Sequence, residues 1–114
     1  MLLFFQVNDT VRIGLRGSML FKAAVKILKH HQKELASQGV RGLAIFGSVA
    51  RNESKASSDV DILIDFDSKR GLFAFVDTKH YIESILNCEV DLVTKNALHP
   101  ALKSQILNEA KYVF

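Results

Sequence analysis

The chain has 114 residues, 48% of them hydrophobic and 24% charged, with a formal net charge of +3. That is the length of one globular domain with enough apolar side chain for a core, and no apolar run approaches a transmembrane helix. A single cysteine excludes an internal disulfide and points to a reducing cytoplasm, while basic residues scattered along the chain without an aromatic-basic ladder argue against direct nucleic-acid binding.

Residues 1–18, MLLFFQVNDTVRIGLRGS, have no basic stretch ahead of their apolar residues and no helical period. They are expected to be a poorly ordered extension or the product of an upstream start codon; an extra edge strand over Leu2 to Val7 is the alternative. The domain proper is expected over residues 19–114. Leu20, Ala24, Ile27, Leu28, His31 and Leu35 recur at helical spacing, with lysines opposite, and Gly39 supplies a stop. GLAIF, residues 42–46, is a short continuous apolar run and reads as a buried strand. Ser48 to Asn52 suits one helical turn with Ser48 as its cap, and residues 53–58 form a loop. Asp59 to Phe66 is a strand by its period of two. After a turn at residues 67–71, Leu72 to Leu86 is a helix with Leu72, Phe75, Val76, Ile82 and Leu86 on one face. Glu89 to Thr94 is a third strand. Pro100 opens a last helix, whose apolar stripe is Leu102, Ile106, Ala110 and Val113. Three strands and three main helices make a small α/β domain.

The alternation along the second strand carries chemistry. Val60, Ile62, Ile64 and Phe66 share one face, and Asp59, Asp61, Leu63 and Asp65 share the other. In the third strand Asp91 opposes Val90 and Leu92. Helices over the Val-Ile face would leave Asp59, Asp61 and Asp91 together on the opposite one. A single exposed Asp would be an ordinary surface acid. Three are harder to dismiss, because Asp is poor in strands and like charges side by side repel. Carboxylates held together need a cation, and oxygen ligands suit a hard ion such as Mg²⁺, which also binds substrate phosphates. The Gly47-Ser48 turn supplies a complement: glycine lets backbone approach a ligand, and a helix start favours phosphate. Asp65 lies further along and reads as a strand-end acid. Cys88 has no His or Cys partner and reads as a small buried hydrophobe, and the four histidines lack metal-ligand spacing.

The pattern Gly47-Ser48-x-Ala50-Arg51, Ser58-Asp59-Val60-Asp61 and Val90-Asp91-Leu92-Val93 resembles the polymerase-β-type nucleotidyltransferases, and more closely the minimal nucleotidyltransferases (MNT) of prokaryotes. The resemblance runs from about Leu20 to the C-terminus, with Asn52 standing where that family usually has Gly. It implies an α/β (α+β) domain with a small mixed three-stranded sheet, helices packed mainly on one face, and a palm-like nucleotidyltransferase fold. It implies two Mg²⁺ ions, for which Mn²⁺ can substitute, held by Asp59, Asp61 and Asp91. ATP is the implied co-substrate, with its β- and γ-phosphates on Gly47 and Ser48. Arg51 either reaches phosphate or forms a salt bridge to Glu53 or Asp59. The resemblance further implies AMP transfer to a tyrosine of a HEPN-domain ribonuclease toxin, in a hetero-oligomer that makes this chain the antitoxin; an antitoxin that masks its toxin without catalysis is the alternative. Leu63 and Val93, apolar on the carboxylate face, are expected to be covered by the last helix rather than to contact a partner.

Overall fold

The structure is a computed structural model and describes residues 21–51 and 59–114. The expected N-terminal extension, Leu20, Asn52, Glu53 and Ser58 lie outside the described residues.

The first amphipathic pattern forms α1 (Phe21–His30) and α2 (Gln32–Ser37), with a one-residue break at His31. There the ring Nδ1 lies 2.9 Å from the Ile27 carbonyl, and the backbone N–H is shared between the Ile27 and Leu28 carbonyls at 3.2 Å each. Ala24, Leu28 and Leu35 are the buried stripe. Gly39, at φ +105°, turns the chain into β1 (Val40–Phe46). β1 starts before the expected GLAIF run because Val40 is itself a core residue. The short helix α3 (Gly47–Ala50) follows without a linker, and β2 (Val60–Phe66) lies beyond the loop.

A 3₁₀ turn at Ser68–Arg70 leads to α4 (Gly71–Leu86). Its buried residues are Thr78, Ile82 and Leu86, while Leu72 is 71% exposed and Val76 also faces solvent. Of the expected stripe, Phe75, Ile82 and Leu86 do pack on the core, and only Leu72 and Val76 are corrected. Thr78 can be buried because its hydroxyl donates to the Ala74 carbonyl at 2.9 Å, which satisfies the polar group inside the helix. α4 ends at Asn87, which takes the left-handed conformation at φ 56°, a geometry that Asn tolerates better than most side chains.

β3 (Val90–Thr94) runs parallel to β2, and β1 runs antiparallel to β2. The last helix, α5, spans Pro100–Glu109. It does not continue to Val113. Ala110 turns extended (φ −63°, ψ 132°), and Lys111–Tyr112 form β4, antiparallel to the outer side of β1. Among the described residues the sheet thus has four strands in the order β3-β2-β1-β4, one more than expected. Val113 is buried through this strand pairing and not through a helical stripe, and Leu102 is 51% exposed. The physical reason is β1: Leu43 needs a partner on its outer edge, and it takes the Val113 N–H at 2.8 Å and the Phe114 carbonyl at 3.2 Å.

Two apolar layers result. Val60, Ile62 and Ile64 of β2 join Leu43 and Ile45 of β1 against α1, α2 and α4. On the other face Ala44 and Leu63 pack with Leu98, Phe46, Val93, Ile106 and Leu107. The expected cover over Leu63 and Val93 is therefore supplied by the last helix, and Leu63 is fully buried.

Candidate active site

The register of the sheet builds the site. β2 and β3 are parallel with Asp61 opposite Asp91, so paired positions point to the same face. On the other side of β2, Phe46 at the end of β1 is opposite Asp61. Asp59 stands exposed just before β2 begins, where the Val60 N–H donates to the Glu89 carbonyl at 3.1 Å. The three candidate carboxylates thus lie at one end of the central strands.

Phe46 is extended and occupies the position before α3, so the helix begins at Gly47 and Ser48 lies inside its first turn. The expected Ser48 cap is corrected: no side chain caps this helix. Gly47 has φ +73°, and a Cβ there would overlap the Asp61 carboxylate oxygen. A side chain at 47 is thus excluded twice, by backbone strain and by the carboxylate packed against the turn.

Burial pushes the Asp61 carboxyl up to about 6, and the charges of Asp91 and then Asp59 push in the same direction. Arg51 opposes this rise and Glu109 adds to it. Arg51 Nη1 lies 3.1 Å from Glu109 Oε1, at the end of α5. Glu109 was not among the expected partners, of which Glu53 lies outside the described residues, and the 58-residue separation explains why no local signal in the sequence pointed to Glu109. Asp65 pairs with Arg41 at 3.4 Å on the exposed surface, in keeping with its reading as a strand-end acid. Burial, with Asp59 and Glu83 adding to it, pushes the Cys88 thiol up to about 11; the side chain is half-buried against the main core rather than fully inside it.

Asp59, Asp61 and Asp91 offer hard oxygen donors on one face, and the mutual repulsion at Asp61 is the kind of excess charge a divalent cation relieves. The donor chemistry fits Mg²⁺. The three side chains do not by themselves converge into a coordination shell: among the described residues no three His, Cys, Asp or Glu are arranged to hold an ion. Nor is any described helix long and apolar enough to cross a membrane.

The mixed sheet thus has a Gly-Ser turn leaving β1 beside two carboxylates held in register on β2 and β3. The chain belongs to the nucleotidyltransferase domain family, whose model matches residues 24–113. It is 43% identical over 88 residues to the protein adenylyltransferase MntA of Thermococcus cleftensis, a match covering 76% of this chain and 89% of that one. A solved structure described as a "putative minimal nucleotidyltransferase" superposes with a TM-score of 0.72 at 32% identity, covering 82% of this chain and 95% of the other. The fold is also shared with a complex of a tri-AMPylated Shewanella oneidensis HEPN toxin and its MNT antitoxin, with a TM-score of 0.60 at 17% identity over 83% of this chain and 72% of that one.

Proposed function

We propose that this protein transfers AMP from ATP to a hydroxyl of a partner protein, and that the partner is a HEPN-domain ribonuclease toxin modified on tyrosine. The observation that carries the reading is the register that sets Asp61 beside Asp91, with Gly47 packed on the Asp61 carboxylate. The MntA likeness supports adenylyl transfer to protein, and the shared fold with a toxin–antitoxin complex supports the partner.

In this reading Asp59, Asp61 and Asp91 would hold two Mg²⁺ ions, or Mn²⁺ in their place. Such ions supply positive charge to the attacking and leaving oxygens of an in-line displacement. Gly47 gives the triphosphate a close approach to backbone, and Ser48 contributes polar contact from the first turn of α3. The acceptor oxygen attacks the α-phosphorus, the bond to the bridging oxygen breaks, and pyrophosphate departs. The acceptor's proton passes to a carboxylate of the cluster. Asp59 and Asp91 are exposed, so a hydroxyl carried by a partner protein can approach them from solvent. The protein works as an antitoxin in the cytoplasm, in a hetero-oligomer with the toxin.

The test is transfer of label from α-labelled ATP to the product of the adjacent gene, followed by intact-mass analysis of that product. Addition of AMP in the presence of Mg²⁺, and its absence with chelator, is expected. An unmodified partner under both conditions overturns the reading.

A further inference from the structure

We infer that Glu109 is a positioning residue: it holds the Arg51 guanidinium at the edge of the carboxylate site, where that guanidinium meets the phosphates of the nucleotide. The inference rests on the nucleotide reading above and adds a residue to it.

Arg51 directly follows α3, and its backbone N–H bonds to the Gly47 and Ser48 carbonyls at 3.2 Å each, so its main chain closes the turn that begins at Gly47. Glu109 is the last residue of α5. It is anchored from behind, because Ala110 donates to the Ile106 carbonyl at 2.9 Å and Lys111 then pairs with Ile45 of β1. The Arg51–Glu109 pair therefore joins two elements that are both fixed to the end of β1. The turn that Arg51 closes begins at Gly47, and Gly47 is packed on the Asp61 carboxylate, so the pair sits beside the carboxylate end of the sheet.

An arginine side chain has considerable rotamer entropy to lose on being fixed. The ion pair with Glu109, carried by a different element, restricts where the guanidinium can point. Arg51 is 46% exposed and Glu109 30% exposed, so the pair is solvated and its own contribution to stability is small. What it fixes is direction. The planar fork of a guanidinium can serve more than one oxygen acceptor at a time, which suits a residue shared between Glu109 and a phosphate.

The experiment is calorimetric titration with Mg²⁺ and AMP-PNP of the full chain, as wild type, Glu109→Gln, Glu109→Asp, Arg51→Gln and the Glu109→Gln/Arg51→Gln double variant. Glu109→Gln is expected to weaken nucleotide binding about 3- to 10-fold, Glu109→Asp to recover part of it, and the double variant to bind no worse than Arg51→Gln alone. In AMP transfer to the partner, KM for ATP rises while kcat stays within about twofold. Unchanged affinity in a Glu109→Gln variant with altered thermal stability means a purely structural pair and overturns the inference. Tighter binding, the result if Glu109 is only another charge repelling phosphate, overturns it too, as does additivity in the double variant. A wild type that binds no nucleotide removes the functional reading and this inference together, whereas a binding wild type with an indifferent Glu109→Gln removes only the inference.

Discussion

At the scale of single residues, the contact between Gly47 and Asp61 links fold to chemistry. Gly47→Ala forces a side chain into positive φ, which costs about 1–2 kcal/mol, and also displaces the Asp61 carboxylate. Gly71 is the control, since its φ is also positive at +84° but a Cβ there meets nothing within 4 Å. Urea titration of the two alanine variants should show the larger loss at 47, and only that variant should also lose nucleotide affinity. Asp61 itself gives a pH prediction. Its carboxyl titrates at about 6 in the folded chain against an ordinary 3.8, so the folded state holds the proton more tightly than the unfolded state does. Stability therefore falls as pH rises from about 4 to 6 and stays low above that. Asp61→Asn removes the burden: the variant should be flatter across this window. Allowing for screening at a half-exposed group, it should be more stable near pH 7.5 by about 1 kcal/mol. Urea midpoints at pH 4.5 and 7.5 in chelator check this, and a wild type as stable at the higher pH as at the lower would refute it. These carboxylates were legible in the sequence because a period of two puts alternate residues on one face. Glu109 was not legible, because its relation to Arg51 exists only after two elements far apart in the chain meet at the end of β1.

At the scale of elements, most segments were legible, the GLAIF strand and the single helical turn after it included, whereas the two-residue C-terminal strand was not. β2 reads directly from its Val-Ile-Ile alternation, and α4 from its length. The C-terminal AKYVF misled, since Ala110 and Val113 continue the spacing of Leu102 and Ile106 as well as any helix would. Tertiary context decided otherwise: the outer edge of β1 offered hydrogen bonds and a buried slot for Val113, and a two-residue strand has too few residues to display a period. The stripe on α4 held in part. Phe75, Ile82 and Leu86 pack on the main core, but Leu72 and Val76, which fit the same helical period, face solvent, while Thr78 goes inside because it bonds within its own helix. If β4 closes the sheet as described, deleting residues 111–114 removes a buried Val, worth about 1.5–3 kcal/mol, together with edge hydrogen bonds at roughly 1 kcal/mol each. A loss of about 3–5 kcal/mol is expected in chemical denaturation. A truncated chain with an unchanged midpoint would show that β4 contributes nothing to the fold.

At the scale of the whole molecule, the sheet has two separable tasks. Its α1-α2-α4 face holds the main core, and the end of the opposite face carries the carboxylates, with α5 covering Leu63 beside them. Asp61→Asn should therefore leave the surface shape intact while removing a charge that the proposed metal site needs. Transfer should fall by orders of magnitude, and the stabilising effect of Mg²⁺ on thermal unfolding should shrink, because a ligand stabilises only the state that binds it. This separation lets one variant decide between catalysis and masking. If protection of the cell depends on AMP transfer, cells producing the toxin together with Asp61→Asn stop growing, although the two proteins still co-purify, and the toxin's intact mass shows no added AMP. If protection depends on binding alone, the same cells grow as they do with the wild type. Gly47→Ala does not serve here, because it perturbs the fold and the site together. Growth and mass must be read on the same culture: full rescue beside an unmodified toxin leaves the binding module standing and removes the catalytic reading, whereas arrest beside an intact complex ties protection to the Asp61 carboxylate.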